Sequence, residues 1–511
     1  MKCLLYSQFN VKTRCGEGKF QKIHGTAEVD PALHAEGGPF LALGFSRGEL
    51  PMARADLTKG PVWRALAQVS TPMTFGILAV LSVGLADAYF LGQLGQAPLA
   101  AVGFIYPVTT ALTSLSIGLS AGTNAVVSQA IGRENEDPDT PVRLALHSLA
   151  LGVFLAALVA LGFVAVAPTL FGWMGAQDAA LAETQLYVPF WSLSFPFLVA
   201  MMVANAVFRA HGDGATSAVI MVWAAAINIA INPVLIFGWG PVPQMGTEGA
   251  ALATAIGRGI GAATALWYAW YSGLLTTCGK PFYGILYSFR DVIAVGLPAS
   301  MSNAINPAGM ALVTAAVATL GEAAVAGFGA ATRVQSVMLV ALFALSAGIG
   351  PVVGQNFGAA LQDRARLALK QAWFFCVAYG LLLATGVTIF ADQIAGFFTD
   401  SPEALGYTAQ YLRIVSWSIM GYGIVVITNA AMNARSKAAY SLGLSLTRIF
   451  ILYVPLAWIG MWMFDYLGIL LAAVTANMLA IVGSLLCARS TGLVTGIHGQ
   501  EVPDVLPKTA G

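Results

Sequence analysis

Apolar runs of membrane-spanning length follow one another from near Ala65 to about Cys487, and twelve can be counted. A bilayer core about 30 Å thick takes roughly 20 apolar residues in helical form. Twelve such runs use most of the 511 residues and leave no room for a soluble catalytic domain. The pattern predicts an all-α integral membrane protein. The polar positions between the runs are ordered as well. All but four of the 25 lysines and arginines lie outside the runs, in every second gap. Arg133 and Arg143, then Arg209, Lys280 and Arg290, Arg364, Arg366 and Lys370, and Arg435 and Lys437 occupy those gaps. The alternate gaps carry Asp178, Glu183, Glu248, Glu322, Asp400, Glu403 and Asp465 instead. Lys59, Arg64, Arg489 and Lys508 place both ends of the chain on the basic side. Basic loops stay cytoplasmic. Both termini are therefore expected in the cytoplasm and the chain in a plasma membrane, the inner membrane of a bacterium.

The chain repeats itself. LSAGTNAVVSQAIG, from Leu119 to Gly132, returns as LSAGIGPVVGQNFG, from Leu345 to Gly358, with eight of 14 positions identical at an offset of 226. VANAVFRAHGDGATS from Val203 matches ITNAAMNARSKAAYS from Ile427 at an offset of 224, and Gly246, Ala250 and Ala251 fall opposite Gly468, Ala472 and Ala473. Each half then holds six spans. Six is even, so both halves enter the membrane in the same direction, as parallel repeats about an axis along its normal. The expected division is a 52–276 lobe, a cytoplasmic link at 277–290, a 291–489 lobe and a cytoplasmic tail at 490–511. Such duplication suits a transporter with its substrate path between the halves.

Composition excludes several alternatives. Only 10% of the residues are charged, against roughly 25% in soluble domains, and no basic stripe or stacking module suggests a nucleic-acid partner. Cys3, Cys15, Cys278, Cys376 and Cys487 form no metal-spaced set and read as reduced thiols. Gly257, Gly259 and Gly261 mimic a nucleotide loop, as do Gly348, Gly350 and Gly354. No strand precedes the first group and no phosphate-binding Lys follows the second, so both read as helix-packing positions. His147 and His211 are isolated and are expected to be solvated. Trp63, Trp173, Trp239 and Trp462 fall at span ends as interfacial anchors. A membrane-embedded enzyme would need paired catalytic groups, and the runs contain none.

One acid lies well inside a run. Asp87 stands in GILAVLSVGLADAYFLGQLG, whereas Asp392 is placed at the outer edge of the ninth span. Burying a carboxylate in hydrocarbon costs at least about 2.5 kcal/mol, so Asp87 is expected to face a cavity and bind a proton, Na⁺ or a cationic group. Asn228 and Asn232 share one face of the fifth span, and Thr254 lies in the sixth. Together they would make an oxygen cage for a hard cation; the same residues would also serve as interhelical hydrogen-bonding glue. Arg258, Arg333, Arg413 and Arg448 also lie inside spans. With Asp87 the one deep acid, they cannot all be ion-paired; they face a wet cavity or bond helix carbonyls, the structural role being favoured. Three of the four fall in the second half, which would make that half electropositive.

Asp87, Asn232 and Thr254 sit in strings of a chain that resembles the multidrug and toxic compound extrusion (MATE) family of cation-coupled transporters across essentially all of 52–490. The strings are DLTKGPVWRALAQVSTPM, ADAYFLGQLG, VVSQAIGR, INPVLIFG, GTEGAALAT and, most specific, PVVGQNFGAA. The resemblance implies twelve helices in two six-helix lobes and export of small organic compounds, cationic or amphipathic, by a monomer in exchange for Na⁺ or H⁺. It places the N-lobe cation site on Asp87, Asn228, Asn232 and Thr254, with no cofactor beyond the coupling ion and Na⁺ as the metal if Na⁺ is used. Pro72, upstream of the acid on the same span, matches the family's first-span kink. Where some members carry Asp at the second fifth-span position this chain has Asn232, which departs from a two-carboxylate relay. Where others carry a seventh-span Glu downstream of a Pro, it has Asn306, so no C-lobe carboxylate is expected. A flippase for a lipid-linked precursor is the alternative, favoured by the electropositive second half.

Residues 1–51 match nothing downstream. They hold no apolar core of signal-peptide length, and Gly48-Glu49 is encodable by a purine-rich ribosome-binding run just before Met52. They are expected to be a mis-assigned start or a disordered tail. A chain starting at Met52 should insert and transport as the full chain does, measured in membrane fractions and vesicles; loss of either would show that the extension matters.

Overall fold

The computed structural model describes residues 56–494 except 134–136, 138, 176–177, 277–279 and 399–400. The expectations for 1–51, for part of the 277–290 link and for the tail past 494 lie outside the described residues. The first six helices are α1 (Val62–Gly92), α2 (Gln96–Gly132), α3 (Thr140–Trp173), α4 (Asp178–Ala210), α5 (Gly214–Phe237) and α6 (Gly246–Tyr271). They are apolar on nearly every face, as helices that meet both lipid and protein must be. Their ends follow local chemistry. Pro61 caps α1, Asp213 accepts from the Thr216 backbone N–H at 2.9 Å to start α5, and Gly238 stops α5 at φ 80°.

The second half begins with α7 (Ile285–Ala318). Its next crossing comes in two pieces, α8 (Glu322–Met338) and α9 (Val340–Gly358), joined at Leu339. Then come α10 (Gln362–Ile389), the short α11 (Ala391–Gly396), and α12 (Pro402–Val415) joined to α13 (Ile419–Ala434) by a 3-10 turn at Ser416–Ser418. The last are α14 (Ala438–Leu446), a π-helical stretch at Thr447–Tyr453, and α15 (Val454–Ser490). Ten stretches among the described residues are long and apolar enough to cross a membrane. One of them, Ala438–Ser490, leaves helical geometry at Phe464 and Asp465, with φ 51° at Asp465, and so holds two crossings. With α7, 34 residues long, the twelve crossings are complete. Trp63, Trp173, Trp239 and Trp462 are all exposed at helix ends, where an indole is stable at the headgroup level.

The repeat is visible in the element bounds. Gln96 and Gly132 bound α2; their counterparts at the same repeat offset, Glu322 and Gly358, bound the α8–α9 pair. Contacts across the lobes obey the same symmetry. Gln129 Nε2 donates to the Ala434 carbonyl at 2.6 Å, and Gln355 Nε2 donates to the Ala210 carbonyl at 2.7 Å. Gly132 packs on the Gln355 carbonyl and Gly358 on the Gln129 carbonyl. Each member of a pair repeats the other with the lobes exchanged, which is what a two-fold axis along the membrane normal produces. Small residues let the backbones approach: Gly348, Gly350 and Gly354 lie against Ser70, Asn124 and Ser128, and Gly118 and Gly122 against α7 near Gly296. These contacts run from the basic end as far as Ser300 and Leu115, near mid-membrane. On that same end, His147 is not solvated as expected. It is 2% exposed, with Nδ1 2.8 Å from Ser288 Oγ and Nε2 2.7 Å from the Pro281 carbonyl, so α3 is tied to α7 by a polar side chain that hydropathy alone cannot place.

This seal has no slack. A Cβ at Gly358 would stand 2.2 Å from the Gln129 carbonyl oxygen, and backbone cannot rotate away. Gly358→Val should insert normally but hold the lobes apart on the basic side. In a Ser128→Cys parent, whose position 128 is fully buried, the added Gly358→Val should admit an impermeant maleimide from that side. Labelling equal to the parent would refute the seal.

Candidate functional site

Asp87 lies five residues before the end of α1, Asn232 five before the end of α5, and Thr254 eight after the start of α6. At about 1.5 Å per residue, all three levels fall roughly 8–12 Å in from the end opposite the basic loops. Glycines bring the helices together there. A Cβ at Gly257 would meet Asn228 Cβ at 2.9 Å, and one at Gly249 would meet the Leu235 carbonyl at 2.5 Å, so α6 packs backbone-close on α5. Asn228 and Asn232 then face α6 and α1 from successive turns of one helix.

All four residues that the sequence singles out converge. Asn232 Nδ2 donates to Asp87 Oδ1, and Asn228 Nδ2 donates to Thr254 Oγ1 at 3.3 Å. Thr254 Oγ1 in turn donates to the Ala250 carbonyl at 3.1 Å. Asn228, Asn232 and Thr254 are buried. The Oδ1 atoms of both asparagines are buried without a hydrogen-bond donor. Leaving such an acceptor unpaired costs about 1–3 kcal/mol, which a cation held between them would offset. A carboxylate, two spare amide oxygens and a hydroxyl are hard donors suited to Na⁺, and the carboxylate alone suits a proton. Pro72 sits within the uninterrupted α1; its ring leaves the carbonyl one turn earlier, that of Gln68, without its helical donor.

The sequence reading missed the surroundings of Asp87. Arg258, one turn beyond Thr254 on α6, donates from Nη1 to Ser194 Oγ at 2.8 Å and lies 5.3 Å from the centroid of the Trp191 ring. Among the described residues it makes no ion pair with Asp87. Tyr187 of α4 packs beside Leu91, Ile236 and Ala250 at the rim of the site. The i, i+4 spacing of Thr254 and Arg258 was the available signal. Of the other deep arginines, Arg413 pairs with Asp392, an acid from the membrane edge that sequence could not bring to it. Arg333 is exposed. Arg448 bonds Asn477 and Asn306.

Comparison with known proteins agrees with this layout. The family model described as MatE matches residues 72–234 and 298–459, one block in each lobe. A Shewanella oneidensis protein named as an FAD transporter is 34% identical over 431 residues, covering 83% of this chain and 94% of its own. The Staphylococcus aureus multidrug export protein MepA is 23% identical over 436 residues, covering 84% of this chain and 94% of its own. Among solved structures, a mutant of the Vibrio cholerae MATE transporter VcmN superimposes with a TM-score of 0.80 at 28% identity, covering 87% of this chain and 99% of that one. The chain is a multi-pass membrane transporter, not an enzyme, and belongs to the MATE family.

Proposed function

We propose that the chain is an antiporter of a bacterial inner membrane, with both termini cytoplasmic, that exports a small organic compound in exchange for Na⁺ or H⁺ held at Asp87, Asn228, Asn232 and Thr254. The observation that carries the reading is the pair of buried, undonated asparagine oxygens beside the deep carboxylate. A negative site in low dielectric is stabilised by a cation and destabilised when empty, so its occupancy biases which side of the lobes stays sealed. The seal described above closes the basic, cytoplasmic side, which leaves the site to be loaded from the opposite face. Each positive charge that then moves inward gains about 2.3 kcal/mol per 100 mV. The relative at 34% identity, named for FAD, favours a flavin nucleotide as the cargo over the drugs of the multidrug relative at 23%. Such a cargo is amphipathic but anionic, which Arg258 and Arg448 inside the lobes accommodate better than a cation.

Asp87→Asn keeps the shape and removes the charge. Export driven by ΔpH or ΔNa⁺ in inverted vesicles should fall to the undriven level with near-normal insertion, while a facilitated flippase would survive it. Driven export at the wild-type rate would sink the assignment. Thr254→Ala should be milder, since one neutral oxygen contributes about 1 kcal/mol, roughly five-fold in binding.

Asn228→Leu separates cage from glue. It removes the undonated Oδ1 and the weak bond that Nδ2 donates to Thr254, whose hydroxyl retains the Ala250 carbonyl as acceptor. The melting temperature of the purified variant should match or exceed the wild type, while coupled export weakens. A clear fall in melting temperature would identify Asn228 as structural glue instead.

A further inference from the structure

The geometry points to a second interior site, in the C-terminal lobe and centred on Arg448, that binds the phosphate or pyrophosphate group of the exported compound. This deepens the transport reading and rests on it. Arg448 is 5% exposed and sits in the π-helical stretch that follows α14; such departures from α-helix inside a helix recur at functional sites. Its Nη1 donates to Asn477 Oδ1 at 3.0 Å and its Nη2 to Asn306 Oδ1, and its guanidinium lies 4.9 Å from the centroid of the Tyr422 ring. Asn477 Nδ2 is fixed by Ser418 Oγ at 3.0 Å. Among the described residues Arg448 makes no ion pair, and its Nε–H is buried without an acceptor. A lone cation in the interior of a membrane protein is costly and marks a binding path, and the planar guanidinium fork matches phosphate geometry.

The position in the fold strengthens the argument. Asn306, Ser418, Arg448 and Asn477 come from the seventh, tenth, eleventh and twelfth spans. The corresponding spans of the first lobe, the first, fourth, fifth and sixth, supply Asp87, Ser194, Asn228 with Asn232, and Thr254 with Arg258. Ser194 and Ser418 are separated by the same offset that relates Val203 to Ile427 in the repeat. Each donates to the carbonyl three residues back and accepts from a side chain of its lobe's last span. The two lobes thus hold, on corresponding spans and around the matched pair Ser194 and Ser418, one site built on a carboxylate and one built on an arginine. The first suits a cation and the second an anion. Asn306 also ties the second site to the lobe interface, because α7 carries both Asn306 and the Gly296–Ser300 segment packed against Gly118 and Gly122.

The test uses the full chain in nanodiscs, with FAD, riboflavin and inorganic pyrophosphate as probes. Wild type should bind FAD about ten-fold or more tightly than riboflavin, as charge-assisted bonds allow, and pyrophosphate should displace FAD. Arg448→Gln should bind FAD no better than riboflavin, with riboflavin affinity unchanged, and Arg448→Lys should recover part of the preference. An Arg448→Gln protein that still prefers FAD overturns the site. If wild type ignores FAD but pyrophosphate raises its melting temperature and not that of Arg448→Gln, the anion site stands and only the flavin reading falls. If Arg448→Gln does not fold, the wild-type response to pyrophosphate decides, and its absence overturns the proposal.

Discussion

In hydrocarbon, a polar atom has only the protein to bond to, and the architecture of this chain follows from meeting that requirement at close range. Backbone groups are satisfied within helices. Hydroxyls inside the spans turn back on their own helix, as Ser300 does to the Gly296 carbonyl at 2.7 Å and Thr123 to the Leu119 carbonyl at 2.8 Å. Apolar side chains gain little from meeting each other rather than lipid, so the helices associate through small residues that maximise contact. The glycine seams at the lobe interface and between α5 and α6 are that device. Among the buried atoms where the requirement is left unmet are the two asparagine oxygens beside Asp87 and the Nε of Arg448, and the ligands proposed above would meet it there.

The same rule explains what was legible in the sequence. Spans, basic gaps and the repeat are one-dimensional records of hydrophobicity, charge and length, and all reappear in the helices. Asp87 stood out because a carboxylate inside an apolar span is rare, Asn228 and Asn232 because their spacing along one helix fixes a shared face, and Thr254 as a hydroxyl of the next span that the family resemblance adds to the site. Contacts between distant spans left no such record. Arg413 finds Asp392 because α11 and α12 fold back on each other at the membrane edge; His147 finds Ser288 from the other lobe. Breaks within spans were hidden for a different reason. Leu339 and the Phe464–Asp465 bend carry no proline, so the chain there reads as unbroken until packing decides where each helix ends.

Duplication gave the protein two copies of one scaffold, and divergence has set their polar centres apart. In each lobe the last span reaches a serine of the fourth through a side chain, Arg258 to Ser194 in one and Asn477 to Ser418 in the other. The frame is kept while the charge differs: the acid of the first span has no counterpart in the seventh, where Val313 holds the position that the repeat offset reaches. The proposed exchange of a cation against an anionic cargo has no use for two cation sites. It needs centres of opposite sign that both report to one interface. Here α1 and α7, which carry Asp87 and Asn306, also line that interface, with Ser70 of α1 against Gly348 and Ser300 of α7 against Gly118. In the exchange proposed above, occupancy of either centre would act on these contacts through the helix that carries it.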